Sequence, residues 1–320
     1  MKNNRTPKVA VVGSLNIDLV CHAKRRPDKG ETLIGDAFDL FTGGKGFNQA
    51  TAAARLGTEV TLIGNVGADA FGEMLLTATE NEHIDNRFVK KRTDTGTGVA
   101  TIVIEPDGDN SIIVVPRANM ALTTTDIDAA ADCIADADVL LLQLETPIAV
   151  SEHAAAIAKT YGTTVILNPA PAQPLPDSLL AHVDILTPNQ SETEMLSGMS
   201  VSNDEEARNA AVALRARMLN SATSAVVLTL GAQGALILTA TISERIPALS
   251  VDVVDTTGAG DAFCGALATA LAGGETLREA IAFANAAGAV AVTVIGATPS
   301  MPTRAKVDLL MSQSHQKSNG

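Results

Sequence analysis

The chain is poor in aromatic and in basic residues. Of its 320 residues only 2% are aromatic, with no tryptophan and a single tyrosine, and the formal net charge is −13. A surface that binds nucleic acid needs basic patches and rings on which bases can stack. The composition therefore argues against nucleic-acid binding, and it predicts that any phosphate ligand is held by backbone amides and metal ions.

Long apolar runs and paired cysteines are also missing. No stretch approaches the ~20 apolar residues of a transmembrane helix, and Met1–Lys8 is polar, unlike a signal peptide. The three cysteines, Cys21, Cys133 and Cys264, are far apart in the sequence and include no Cys-x-x-Cys pair. This pattern indicates reduced packing thiols rather than disulfides or a zinc site. We therefore expect a cytoplasmic protein with no membrane contact.

Apolar runs alternate with alanine-rich amphipathic segments along the chain, and 46% of the residues are hydrophobic. The alternation is typical of repeated βα units that form a mainly parallel sheet. Strands are predicted at Val9–Val12, Val60–Ile63, Val139–Leu144, Thr164–Leu167, Asp184–Leu186, Ala225–Leu230 and Ala235–Leu238. Helices are predicted at Gly46–Leu56, Phe71–Asn81, Thr125–Ala135, Ser151–Tyr161, Glu192–Ser197, Asp204–Asn220, Ala262–Leu271 and Leu277–Val292. We expect one doubly wound α/β domain over 1–320, flanked by helices, with disordered tails at 1–7 and 312–320.

Polar residues follow the carboxyl ends of several predicted strands. They are Asn16, Asp18, Glu145, Asn168, Asn189 and Thr229. Each one alone is typical of a turn or helix cap. Because open α/β sheets bind ligands along this edge, their recurrence there predicts a ligand site.

Two regions depart from the alternation of predicted strands and helices. Apolar segments within 99–115 flank the turn-rich stretch Glu105–Asn110, which is a hairpin signal. With further strands within 19–41 they predict a small antiparallel β lid. Such a sheet could close over substrate or pair with a second copy in a dimer; the alternative is an edge hairpin with no further role.

The segment Asp255-Thr-Thr-Gly-Ala-Gly-Asp261 opens an apolar helix. Gly258 and Gly260 permit unusual backbone angles, so that successive N–H groups can converge on an anion at the helix N-terminus. Asp261 would then lie beside that anion as an ionised general base. The alternative is an ordinary glycine turn with Asp261 as a helix cap.

A second glycine-rich segment, Gly43-Gly-Lys-Gly-Phe-Asn-Gln-Ala50, opens another helix. Its spacing differs from the phosphate-binding G-x-x-x-x-G-K-[ST] loop, and the first strand is followed by Gly13-Ser-Leu-Asn16 rather than the dinucleotide fingerprint. Taken alone it indicates close backbone approach to a ligand, or a glycine turn with a solvated lysine.

Together the two segments, in this order and separation, resemble the ribokinase-like carbohydrate kinases. The resemblance extends from residues 11–18 to residues 296–300. It implies transfer of the ATP γ-phosphoryl group to the 5-hydroxyl of D-ribose, giving D-ribose 5-phosphate and ADP by direct in-line attack. In this comparison Asp261 is the base, and the amides of Gly258, Ala259 and Gly260 form the anion hole.

The resemblance also implies ligand sites and a homodimer formed through the β lid. The positions that match sugar-binding residues are Asn16, Asp18, Gly44, Lys45, Asn48 and Glu145, with Asp261. Those that match nucleotide-binding residues are Asn189, Thr229, Gly231, Gly234, Gly260 and Asn285. Glu192 matches a residue that organises Mg²⁺ through water, although a first-turn acid that favours the helix dipole is its alternative interpretation. The positions that match a K⁺ site are Asp255, Thr257, Ala291, Val294, Gly296 and Ser300.

Two questions stay open at this level. Phe47 replaces the alanine of many family members, and it either narrows the sugar pocket or packs under its helix. The acceptor could also be deoxyribose, another furanose or a nucleoside. A non-catalytic sugar- or nucleotide-binding regulator is a further alternative, but the presence of Asp261 and Lys45 counts against it.

Overall fold

The structure, a computed structural model, describes residues 5–106, 109–218 and 223–318. Its strands within these ranges are β1 (Lys8–Val12), β2 (Asn16–His22), β3 (Ala37–Gly43), β4 (Glu59–Gly67), β5 (Asp85–Arg92), β6 (Gly98–Ile104), β7 (Asn110–Val115), β8 (Val139–Leu142), β9 (Thr164–Leu167), β10 (Ile185–Leu186), β11 (Ala225–Thr229), β12 (Ala235–Leu238) and β13 (Ser243–Ile246). Its α-helices are α1 (Lys45–Arg55), α2 (Ala70–Asn81), α3 (Thr124–Asp128), α4 (Ala131–Asp136), α5 (Ile148–Tyr161), α6 (Asp177–Leu180), α7 (Gln190–Ser197), α8 (Asp204–Ala216), α9 (Ala259–Ala272), α10 (Leu277–Ala291), α11 (Ala297–Ser300) and α12 (Arg304–Ser318).

A nine-stranded sheet forms the centre of the molecule, in the order β13-β12-β11-β10-β9-β8-β1-β4-β5. It is parallel from β5 to β11, and β12 and β13 join antiparallel at one edge. Helices cover both faces: alternate side chains of β1, such as Val9 and Ala10, enter hydrophobic cores on opposite sides of the sheet. The predicted doubly wound α/β fold is confirmed.

A separate four-stranded sheet, in the order β3-β2-β6-β7, extends from one end of the molecule. Its outer pairs are antiparallel, as expected, while the central pair β2–β6 is parallel. In that pair Asp18 lies opposite Ala100, so both side chains are on one face of the sheet. The predicted small sheet is therefore present, with a parallel centre that the hairpin signal alone does not reveal.

Several elements differ from the predictions. The expected helix 125–135 is divided into α3 and α4, because a capping box at Thr123 starts one short helix and the chain turns again at Ala130. The edge strands β5 and β13 were not predicted, since their polar sequences lack an apolar run. The end of the predicted helix 204–220 and the middle of the predicted turn 105–110 lie outside the described residues.

The structure describes only residues 5–7 and 312–318 of the two expected disordered tails, and the rest lies outside the described residues. Arg5 forms an ion pair with Asp138, and the Glu59 amide donates to the Pro7 carbonyl at 2.9 Å, so residues 5–7 lie against the sheet. At the other end α12 continues to Ser318, because no glycine or proline stops it earlier. Within the described ranges, none of the helices has the length and apolar character needed to cross a bilayer.

Candidate active site

A cavity of about 590 Å³ lies between the four-stranded sheet and the end of the large sheet. All the residues expected to bind sugar line this cavity, together with Asp261. They are Asn16, Asp18, Gly44, Lys45, Asn48 and Glu145. Ile102, Ile112 and Val114 of the four-stranded sheet also line it, on the sheet face that carries Asp18, and make that part of the wall apolar. The cavity can therefore enclose a small ligand that has several hydroxyl groups and an apolar face.

Local backbone structure brings these side chains together. Asn16 and Asp18 are two residues apart on β2, so both face the cavity. Gly44 precedes α1 at φ 91°, and a Cβ there would lie 2.8 Å from the Asn16 amide nitrogen. Lys45 and Asn48 are three residues apart in α1 and thus lie on one side of the helix. The close approach of the α1 start to β2 requires glycine.

Glu145, just beyond β8, connects these two segments. Its Oε2 atom accepts hydrogen bonds from the Ser14 hydroxyl, from Asn16 Nδ2 at 3.4 Å and from the Lys45 backbone amide at 3.2 Å. The carboxylate therefore fixes the β1–β2 connection against the first turn of α1. Ser14 was not predicted as part of the site, although it is the second residue after the first strand.

Asp261 is in the first turn of α9 and is only 6% exposed. Its Oδ2 atom accepts a hydrogen bond from Asn48 Nδ2 at 3.0 Å, and its Oδ1 atom accepts one from Gln49 Nε2 at 2.9 Å. An ionised carboxylate only accepts hydrogen bonds, so two amide donors suit it. Asp261 is thus a buried and firmly oriented acceptor at the end of the cavity.

The cavity contains more negative than positive charge. Burial, followed by the neighbouring carboxylates of Glu145 and Asp261, raises the pKa of Asp18 to about 7. Burial lowers the pKa of Lys45, but Asp261, Glu145 and other nearby acidic groups outweigh that effect and raise it above its usual value. Lys45 is therefore a permanent cation between the carboxylates, whereas Asp18 titrates near neutral pH.

A second cavity, of about 880 Å³, lies on the other side of the α9 N-terminus. The residues expected to bind nucleotide line it: Asn189, Thr229, Gly231, Gly234, Gly260 and Asn285. Asn285 also donates to the carbonyls of Ile246 and Pro247, at 3.0 and 3.2 Å, and so anchors the chain that leaves β13. Among the described residues, no lysine or arginine lines this cavity, so phosphates bound there would depend on backbone amides.

The glycine turn before α9 separates the two cavities. Gly258 lines the first and Gly260 the second, with Ala259 between them. Gly258 has φ 77°, a conformation that residues with a side chain rarely adopt, and a Cβ there would lie 3.2 Å from Ala297 Cα, so glycine is favoured. Gly260 is helical rather than unusual in backbone conformation, which corrects the prediction. A Cβ at Gly260 would meet no described atom within 4 Å, so this turn of the helix is open to a ligand.

Three of the residues expected near K⁺, Asp255, Thr257 and Gly296, are joined by hydrogen bonds beside this turn. Asp255 Oδ1 accepts from the amide and the hydroxyl of Thr257 at 2.9 and 2.6 Å, and its Oδ2 accepts from the Gly296 amide at 2.8 Å. Although burial raises the pKa of Asp255, these hydrogen bonds hold it below its usual value. Ser300 is buried and donates to the Ala297 carbonyl at 2.7 Å. An ionised carboxylate among hydroxyl and carbonyl oxygens fits a hard cation.

Glu192 lies in a capping box with Asn189 at the start of α7. Asn189 accepts from the Glu192 amide, and Glu192 Oε2 accepts from the Asn189 amide, each at 2.8 Å. Burial is the main cause that raises the pKa of Glu192. Among the described residues there is no cluster of three or more His, Cys, Asp or Glu side chains suited to a metal. One carboxylate is compatible with Mg²⁺, which keeps several waters and binds nucleotide phosphates.

The structure also resolves the question of Phe47 and reveals residues that sequence reasoning missed. Phe47 is fully buried in the main hydrophobic core and does not line the first cavity. Gln49 and Gln143 lie behind the first cavity, where Gln49 donates to Asp261, whereas Asn119 lines that cavity and donates from Nδ2 to Asn16 Oδ1 at 2.7 Å. Only the position of Gln49 directly after Asn48 could have indicated such a role.

Sequence comparison identifies a family and close relatives. Residues 6–304 match the model of the pfkB family carbohydrate kinases. The ribokinase of Haemophilus influenzae is 40% identical over 296 residues, which cover 92% of this chain and 95% of that protein. The deoxyribokinase of Salmonella typhi is 37% identical over the same length, with the same coverage of both chains.

Structural comparison gives a similar result. The structure of Arabidopsis thaliana ribokinase complexed with ribose and ATP superposes with a TM-score of 0.89 at 33% sequence identity. The match covers 96% of this chain and 99% of that one. The two proteins therefore share their fold over nearly the whole length of both chains.

Proposed function

The chain belongs to the pfkB family of carbohydrate kinases, and from that premise we propose that it phosphorylates D-ribose at the 5-hydroxyl, using ATP and releasing ADP and D-ribose 5-phosphate. The observation that carries this proposal is the junction of two cavities at the start of α9. The Asp261 carboxylate lines one cavity, and Gly260 lines the other. A sugar hydroxyl and a γ-phosphate bound in these cavities would meet at that helix N-terminus.

In this proposal Asp261 accepts the proton of the attacking hydroxyl, which then attacks the γ-phosphorus in line. Phosphoryl transfer of this kind needs positioning and stabilisation of charge rather than a covalent intermediate. The amides of Gly258, Ala259 and Gly260 would stabilise the charge that develops on the transferred group, helped by the helix N-terminus. Neither histidine nor cysteine lines the first cavity, in keeping with direct transfer.

The polar wall of the first cavity would bind the sugar. The carboxylates of Asp18 and Glu145 can each accept hydrogen bonds from sugar hydroxyls, and the amides of Asn16 and Asn48 can donate or accept. Lys45 and the backbone at Gly44 complete that wall. A sugar that lacks one of these hydroxyls would leave a buried polar group unpaired, and the resulting loss of binding energy is a source of selectivity.

The second cavity would bind ATP. All five proposed contacts line it: Asn189 and Thr229 would lie near the phosphates, Gly231 and Gly234 along the nucleotide, and Asn285 beside the base. Glu192 would hold Mg²⁺ through water, and the ion would supply charge neutralisation at the phosphates. The oxygen atoms around Asp255, from Thr257, Ala291, Val294, Gly296 and Ser300, would hold K⁺ beside the anion hole.

The proposal is tested by ADP release from Mg-ATP with ribose, 2-deoxyribose, fructose or adenosine, each with and without K⁺. Fast release that depends on ribose and increases with K⁺ is expected. The similarity to a deoxyribokinase at 37% identity makes 2-deoxyribose the second candidate acceptor. Preference for that sugar would replace ribose in the proposal, and no release with any acceptor would contradict kinase activity.

We expect the apparent affinity for ribose to decrease as the pH falls. Because the pKa of Asp18 is raised to about 7, its carboxyl group takes up a proton below that pH and accepts fewer hydrogen bonds from sugar. The ionised fraction falls about tenfold between pH 8 and pH 6, so KM for ribose should rise about tenfold. Asp18→Asn should raise KM at pH 8 but remove most of this pH dependence; an unchanged slope would contradict the assignment.

The four-stranded sheet is proposed to serve as a lid and as a dimer interface. The strand register puts Phe38, Leu40, Ile113 and Val115 on the face opposite the cavity, and all four are exposed. An apolar patch of this kind favours association with a second copy. A monomer in sedimentation equilibrium at micromolar concentration would contradict the dimer. The cytoplasm is the proposed compartment, in keeping with three free cysteines.

A further inference from the structure

A chain of buried amides lies behind Asp261, outside the first cavity. Gln49 Nε2 donates to Asp261 Oδ1 at 2.9 Å and to Asn168 Oδ1 at 3.1 Å. Gln49 Oε1 accepts from Gln143 Nε2 at 2.6 Å. Gln49 and Gln143 are fully buried, and neither lines the first or the second cavity. The Gln49 amide therefore donates two hydrogen bonds and accepts one, all with other protein groups.

The chemistry of its neighbours fixes the orientation of this amide. Asn168 Nδ2 donates to the Thr187 carbonyl at 3.1 Å, so its oxygen must face Gln49. The Asp261 carboxylate is also an acceptor. Because Asn168 Oδ1 and Asp261 Oδ1 both accept, the Gln49 NH₂ group must face these two atoms, and the Gln49 oxygen then faces Gln143. The orientation of the Gln49 amide therefore follows from hydrogen-bonding capacity.

Gln143 adds a second indication. Its Oε1 atom is buried and has no hydrogen-bond partner among the described residues. A buried polar atom without a partner is costly. Rotation of this amide by half a turn would direct its oxygen at the oxygen of Gln49. The Gln143 oxygen thus stays unpaired, and in return the Gln143 NH₂ group keeps its hydrogen bond to Gln49.

Close packing of α1 against α9 makes the contact to Asp261 possible. Gly265 lies one turn beyond Asp261 in α9, and a Cβ there would lie 2.6 Å from both Ala52 Cβ and the Gln49 carbonyl. Only glycine permits the two helices to approach this closely. The approach puts Gln49 and Asn48 within hydrogen-bond distance of opposite oxygens of one carboxylate.

We propose that Gln49 is a positioning residue for phosphoryl transfer: it holds Oδ1 of Asp261 so that Oδ2 faces the attacking sugar hydroxyl. The proposal rests on the proposed function, in which Asp261 is the base. Asn48 lines the cavity and holds Oδ2, so it can release that atom when sugar binds. Gln49 does not line the cavity, so it keeps its hydrogen bond to Asp261 when sugar binds. That bond prevents the Asp261 carboxylate from rotating away from the attacking hydroxyl.

The test compares three variants in steady-state kinetics with ribose and Mg-ATP, together with thermal melting and calorimetric ATP binding. Gln49→Met keeps the volume and removes the donors; kcat should fall about 10- to 100-fold, as for a misplaced reacting group, with KM for ribose and Kd for ATP changed less than about threefold. Gln143→Met removes the unpaired oxygen and the donor to Gln49; melting should shift little while kcat falls a few-fold.

Thr51→Val is the matched control. Thr51 is in the same helix and fully buried, and its hydroxyl has no hydrogen-bond partner among the described residues. This variant should keep wild-type kcat. A purely structural role for Gln49 would instead lower the melting temperature of Gln49→Met and leave kcat within about twofold of wild type, which would overturn the inference. If Gln49→Met does not fold, an unchanged kcat in Gln143→Met overturns it. Failure of the wild type with every acceptor would contradict the proposed function itself.

Discussion

Replacement of Asp261 by asparagine is expected to lower kcat by about 10²- to 10⁴-fold, the usual contribution of a positioned general base. The amide cannot accept the hydroxyl proton, and its NH₂ group would also face one of the two amide donors, Asn48 or Gln49, that now bind the carboxylate. ATP affinity should remain close to that of the wild type, because Gly260 rather than Asp261 lines the second cavity. Single-turnover ADP formation and calorimetric ATP binding measure the two effects separately.

Glu279→Gln is the control for the loss of a helix-terminal charge. Glu279 is the third residue of α10, as Asp261 is the third residue of α9, but it is exposed and lines neither cavity. Glutamine can still accept the hydrogen bonds that Glu279 Oε2 takes from the Thr276 amide and hydroxyl, so this variant should lose the small favourable interaction of a charge with the helix dipole and keep full kcat. Turnover by Asp261→Asn at more than about a tenth of the wild-type rate would refute the assignment of the base.

The central fold could be predicted from the sequence because its strands are covered on both faces. Continuous apolar runs such as Val139–Leu142 and Ala225–Thr229 have few other interpretations in a chain of this composition. The edge strand β5 was missed because Asp85–Arg92 is mostly charged, as suits an edge that must not pair with another chain. An edge strand forms because a neighbouring strand is there to pair with it, and the local sequence pattern of the edge strand does not show that neighbour.

The two ligand cavities could be predicted only in part. Residues in the glycine-rich segments and at strand ends were located by local chemistry, and the structure brings them to two adjoining cavities. Asn168 is different: it follows its strand as predicted, but it binds Gln49 and the Thr187 carbonyl instead of lining either cavity. The hydrogen bond between Gln49 and Asp261 depends on the packing of α1 against α9 at Gly265, which has no counterpart in local sequence.

Substitution of Gly44 by alanine is expected to destabilise the protein and weaken ribose binding together. At φ 91° and ψ 133° the residue is in a region that side chains rarely adopt, and a Cβ would lie 2.8–3.0 Å from backbone atoms of Ser14, Leu15 and Asn16. Backbone strain and overpacking each cost about 1–3 kcal/mol. Together they should lower the melting temperature by about 10 °C. Since relief of the contact must move β2 or α1, KM for ribose should increase at least about tenfold.

Gly57→Ala separates strain from steric contact. Gly57 has φ 98°, but a Cβ there would meet no described atom within 4 Å, and the residue lines neither cavity. Alanine at this position should cost only the backbone strain, about 1–2 kcal/mol, and leave KM for ribose unchanged. If the two variants melt alike and both retain wild-type KM, the close approach at Gly44 is not what shapes the sugar cavity. If KM for ribose rises only in Gly44→Ala, this glycine sets the position of β2 and thereby the positions of Asn16 and Asp18.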